Sequence, residues 1–143
     1  MSSILASSVM QEHVRAFGSD MEAWLDGFRD DAVLEFPHLK HVGGKSRLKG
    51  RRAIKKAITA LLDDLSDFHL VSCRVYEAED RDMVFAEFEV EVSAKSSRQR
   101  LRHTYSARMI VNDRKIVFLR QCLDSVVASQ VLLSSDFQAR ANV

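Results

Sequence analysis

The sequence predicts an α+β domain, with N-terminal helices covering one face of a curved antiparallel sheet. Three observations carry this. Apolar residues in the first half recur at helical spacing, two later segments alternate strictly between apolar and polar, and the helical segments precede the strands.

Met10, Val14, Phe17 and Met21 follow helical steps, and Gly18 interrupts them. Ser19 followed by Glu22 reads as a capping box, so a second helix starts there with Met21, Trp24, Leu25 and Phe28 as its buried stripe. Asp30-Asp31 ends it, and 32–37 is a short strand closed or held at a sheet edge by Pro37. A polar loop follows from His38 to Gly50. The next helix aligns Ile54, Ala57, Ile58, Leu61, Leu62 and Leu65 on one face. Residues 67–79 form a strand, and Asp80-Arg81-Asp82 a turn. In 83–94, Val84, Ala86, Phe88, Val90 and Val92 alternate with Glu87, Glu89 and Glu91. In 100–111, Leu101, His103, Tyr105, Ala107 and Met109 oppose Arg100, Arg102, Thr104, Ser106 and Arg108. Residues 115–124 are the last strand.

A chain of 143 residues can bury one core, so 1–133 is expected to be a single domain and the polar 134–143 a disordered tail. Lysine and arginine total 21 against 20 acids. That balance offers no global attraction for nucleic acid or an anionic membrane. The basic run from Lys45 to Lys56 is followed by Asp63, Asp64 and Asp67, and is expected to be a solvated face. Cys73 and Cys122 have no CxxC or Cys/His context, which argues against a zinc site and fits two free thiols in a reducing cytosol. The start carries no secretory pattern, and no stretch has bilayer-spanning length. A cytoplasmic protein is expected.

Parity tests the strand pairing, because a one-residue slip reverses every side chain. Val92 opposite Leu101 places Val90 opposite His103, Phe88 opposite Tyr105 and Glu91 opposite Arg102. A two-residue loop at Asp113-Arg114 would then pair Met109 with Phe118, Tyr105 with Cys122 and His103 with Asp124. The last two would be about 4.5–5.5 Å apart at Cβ. Arg114 occupies the place where a tight hairpin favours glycine, so a longer loop or a bulge would move this pairing.

The strings DDAVLEFP, LKGRRAIKKAI and RHTYSARMIVNDRKIVFLRQCLDSVVA resemble the SnoaL-like polyketide cyclases of the nuclear transport factor 2-like superfamily, across about residues 10 to 133. The resemblance implies a cone with a deep apolar pocket, often homodimeric, needing no metal or organic cofactor. It also implies that Asp124 lies in the pocket as an acid/base. Cys122 stands where an aromatic is common, Gln121 where an acid is common and Arg114 where a turn glycine is common.

Asp124 as base, His103 as its partner and Tyr105 as hydrogen-bond donor form the candidate catalytic set. The competing reading is a structural ion pair and a wall tyrosine. Trp24, Phe28, Phe36, Phe88, Phe118 and Cys122 are the candidate pocket wall, although the aromatics equally suit a core. His38 and His41 belong to the loop that the resemblance brings near the pocket mouth. His38 is the better ligand contact, and two loop histidines do not make a metal site. The expected function is cyclisation, isomerisation or dehydration of a small, largely apolar polyketide- or steroid-like metabolite. The alternative is a non-catalytic ligand-binding or dimerisation module. Val117, Leu119 and Leu123 beside Ile110 are expected to form an outward apolar patch for a second copy, the alternative being that residues 125–133 fold back over it and keep the chain monomeric, with Ile116, Phe118, Arg120 and Cys122 inward.

Overall fold

The computed structural model describes residues 5–37, 46–95 and 98–123. Three helices and six strands follow in the order α1 (Ala6–Ala16), α2 (Met21–Asp26), β1 (Phe28–Glu35), β2 (Arg47–Lys49), α3 (Arg51–Leu62), β3 (Leu65–Glu77), β4 (Met83–Ala94), β5 (Gln99–Asn112) and β6 (Lys115–Leu123). One curved sheet holds all six strands in the order β2-β1-β6-β5-β4-β3. Every described pairing is antiparallel except β1 with β6, which is parallel.

The helices cover the concave face. α1 packs on β3, β4 and β5, and α3 on β1, β2 and β3. Met10, Val14 and Ala16 of α1 and Ile54 and Ile58 of α3 are buried there with Phe28, Leu34, Val84, Met109, Ile116 and Leu119. This is the cone-shaped α+β architecture expected.

Some boundaries differ for local reasons. Asp20, not Ser19, caps α2: its carboxylate accepts from Ala23 N–H at 3.1 Å. The Ser19 hydroxyl instead donates back to the Arg15 carbonyl at 2.9 Å. α2 ends at Asp26, and Phe28 starts β1 rather than ending the helical stripe. Gly27 carbonyl accepts from Ile116 N–H at 2.8 Å, so pairing with β6 begins four residues before the expected strand. The expected loop contains β2, whose only buried residue is Leu48. Leu65 belongs to β3, not to the face of α3.

The β4–β5 register is as parity requires, with Val92 opposite Leu101, Val90 opposite His103, Phe88 opposite Tyr105 and Glu91 opposite Arg102. On the outer face Arg102 reaches Glu89 at 2.7 Å and Glu91 at 4.0 Å. The β5–β6 hairpin keeps the two-residue loop, with Asn112 opposite Lys115 and φ of 49° and 67° at Asp113 and Arg114. It then slips by one residue on β6. Ile110 faces Phe118, Met109 faces Leu119, Ser106 faces Cys122 and Tyr105 faces Leu123. The expected facing of β6 is therefore reversed beyond Ile116. Among the described residues, no helix is long and apolar enough to cross a membrane.

Candidate functional site

The concave face is built in cross-strand rows. Met109 and Leu119, each fully buried, form one row with Val84 and Leu34. Ala86, Ala107 and Gln121 form the next, then Phe88 with Tyr105, then Val90 with His103. Polar side chains thus enter an otherwise apolar interior toward the end of β5 that begins at Gln99.

His103 is buried, 4% exposed. The Tyr105 hydroxyl lies 3.4 Å from its Nδ1, a weak hydrogen bond whose direction follows the imidazole tautomer. The two rings overlap at 5.8 Å, and Tyr105 stacks on Phe88 at 4.9 Å, with 10° between the planes. Residues two apart on a strand share a face, which is why a strictly alternating strand brings His103 and Tyr105 together. Burial pushes the Tyr105 phenol well above its usual pKa, so it remains a neutral donor. A protonated phenol beside an imidazole can hold an enolate-like oxygen while the imidazole exchanges a proton with carbon.

Trp24 and Phe28 are buried in the main core with ring centroids 4.9 Å apart, and Phe36 packs against that core. Phe88 is buried against Tyr105. Two wall residues need correction. Phe118 lies on the outer face, where Arg108 sits over its ring at 5.0 Å, and Cys122 is exposed opposite Ser106. The one-residue slip after Val111 moves both away from the interior. The same slip removes the register from which His103 and Asp124 were paired. Asp124, His38 and His41 lie outside the described residues.

The inward facing of two polar residues was not expected from the register and spacing, although the resemblance marks Gln121. Gln121 faces Ala107 once the slip is included. His13 is 7% exposed, its ring stacked on Trp24 at 5.2 Å and edge-on to Phe28 at 5.7 Å. Its signal was its place three residues after Met10 on the stripe of α1. Among the described residues, no three His, Cys, Asp or Glu side chains group as metal ligands.

The chain is similar to uncharacterized protein YesE of Bacillus subtilis (strain 168), with 25% identity over 119 residues, 83% of this chain and 80% of that one. Among solved structures it resembles a Bacillus subtilis protein provisionally labelled an isomerase, with TM-score 0.78 and 25% identity over 91% of this chain and 94% of that one. A Pseudomonas putida KT2440 protein provisionally labelled a polyketide cyclase shares the fold, with TM-score 0.77 and 15% identity over 90% and 98% of the two chains. The SnoaL-like domain model matches residues 10–119, most of the chain. With its helix-covered, six-stranded cone, the chain belongs to the SnoaL-like domain family.

Proposed function

We propose that the chain is a cofactor-free acid–base catalyst acting on a small, largely apolar metabolite of polyketide or steroid type. The observation that carries this is the buried His103 imidazole beside the Tyr105 hydroxyl on a largely apolar concave face. In low dielectric such groups interact with developing charge more strongly than in water. His103 moves the proton, and Tyr105 donates to the oxygen on which charge develops. Gln121, on the same face, supplies a further amide donor. Asp124 lies outside the described residues, and an acid/base role for it rests on the family resemblance alone. Family membership and the isomerase and cyclase labels of structural relatives favour cyclisation or isomerisation.

A second reading, a non-catalytic ligand-binding or dimerisation module, draws on Phe88 filling the wall beside Tyr105. One assay separates the two without knowledge of the natural substrate. Exchange of the α-protons of 2-tetralone in D2O is followed by NMR. The catalyst reading expects acceleration over buffer, a fall of about 100-fold in His103→Gln, and a smaller fall, about tenfold, in Tyr105→Phe. Exchange at the buffer rate, or a fully active His103→Gln variant, would favour the binding module.

A further inference from the structure

We propose that Phe88 is a positioning residue of the candidate site: its ring holds the Tyr105 phenol in place and so keeps the hydroxyl at Nδ1 of His103. The catalytic consequence rests on the acid–base reading above. The geometric one does not.

The strand register brings the rings together. The inward residues of β4 are Val84, Ala86, Phe88, Val90, Val92 and Ala94, and one of them is aromatic. It stands directly opposite Tyr105, the one tyrosine of β5. The ring centroids are 4.9 Å apart and the planes 10° from parallel. At that separation parallel rings are offset, the arrangement that their quadrupoles favour. Phe88 is 7% exposed, and its neighbours on the same face, Ala86 and Val90, are buried too, so it presents Tyr105 with a fixed surface.

A tyrosine hydroxyl lies at the far end of its side chain. A small turn about χ1 therefore carries it further than a hydrogen bond tolerates. The contact with His103 Nδ1, at 3.4 Å, is too long to hold the phenol unaided. The His103 ring is also the more distant and less parallel of the two stacked on Tyr105, at 5.8 Å and 22°. Phe88 is the stronger restraint. An aliphatic residue at this position would fill the space without preferring any plane for the phenol.

The restraint reaches the imidazole through its tautomer. If the Tyr105 oxygen accepts from Nδ1–H, the phenol hydrogen is left for a substrate oxygen. If the hydroxyl donates to Nδ1, the imidazole proton sits on Nε2. Either way a fixed hydroxyl selects one tautomer, and a loosened one lets His103 populate both.

The test reads the tautomer without turnover. The two His103 ring nitrogens are followed by NMR in the 15N-labelled chain at about pH 8, where an ordinary imidazole is neutral. They are assigned by their loss in His103→Gln. Phe88→Leu should move both shifts toward the values that Tyr105→Phe gives. Phe88→Met should do the same, so the outcome does not hang on one variant folding, and circular dichroism checks both. In the 2-tetralone exchange assay, Phe88→Leu should lower the rate about threefold to tenfold, no more than Tyr105→Phe does. Added to Tyr105→Phe it should cost less than about twofold further, because the restrained hydroxyl is already gone. Unchanged His103 shifts in folded Phe88 variants, or the same fall with and without the Tyr105 hydroxyl, would make Phe88 packing alone and overturn the assignment. A wild-type chain that fails to accelerate exchange would count against the acid–base reading instead, and the nitrogen shifts would still decide the positioning.

Discussion

Among the described residues, the rings that His13 meets are those of Trp24 and Phe28, and burial lowers its pKa from 6.5 to about 3. In the unfolded chain the imidazole takes up a proton near pH 6.5, but in the folded protein it stays neutral until about pH 3. Between those values the unfolded state binds more protons, so stability falls as pH falls. The expected slope from this residue is on the order of 1 kcal/mol per pH unit. His13→Phe keeps an aromatic ring without the titration. Urea unfolding at pH 7, 5 and 4 should show the variant losing less stability on acidification by about one proton. Parallel pH dependences in the two proteins would remove His13 as the cause. His13 was hidden in the sequence because helical spacing shows which face is buried but not which polar residue that face tolerates. His103 and Tyr105 were legible because every other residue of β5 is apolar or aromatic, which leaves no doubt about their facing.

At the scale of elements, legibility depended on how strongly one face differs from the other. β4 and β5 set glutamates and arginines against aliphatic residues, so only one register buries the apolar set, and it is the observed one. In β6 the run Ile116, Val117, Phe118, Leu119 is apolar on both faces, and nothing in it opposes a slip. The irregularity after Val111 buries Leu119 completely and turns Phe118 outward, which reversed the facing of the wall residues expected from β6. Asp20 outcompeting Ser19 as the α2 cap is a subtler case, since both side chains are good acceptors. The turn between α1 and α2 also explains a strong glycine requirement. Gly18 has φ of 81°, and a Cβ there would lie 2.5 Å from the Phe68 ring. Phe68 is itself held edge-on against Phe17 at 5.0 Å, so it has little freedom to retreat. At Gly50, φ is 93°, but an added Cβ would meet only the Asp30 carbonyl at 3.5 Å. Gly50→Ala should therefore cost about 1 kcal/mol from backbone strain, and Gly18→Ala about 1–3 kcal/mol more from overpacking. Chemical denaturation of both variants tests the order. Equal losses would mean that Phe68 moves aside freely.

On the scale of the whole molecule, the outer sheet face is divided. Toward one end Glu87, Glu89, Glu91, Arg100 and Arg102 interleave, with ion pairs such as Arg102–Glu89. Toward the other, Met83, Ile110, Phe118 and Val33 form one unbroken row across β4, β5, β6 and β1. Phe85 and Tyr76 stand opposite each other in the adjacent row, 43% and 45% exposed. The helices occupy the concave face and cannot cover this row. A sheet face that met only water would carry polar residues there instead. We propose that a second copy packs on this end of the outer face about a two-fold axis. The surface differs from that expected from sequence: Leu119 is interior, and Ile110 keeps its outward place with Phe118 as its neighbour. Each large side chain contributes about 1.5–3 kcal/mol when fully buried, and a two-fold interface uses the row twice, enough to offset the cost of association. The charged rows beside it would set orientation more than affinity. Light scattering at micromolar concentration should give twice the 16.2 kDa chain mass. Phe85→Glu, at an exposed position, should return the mass to one chain with the circular dichroism spectrum unchanged. Leu119→Glu should instead unfold the chain, since it places a charge in the core. A wild-type mass of one chain, or a dimer indifferent to Phe85→Glu, would remove this face as the interface.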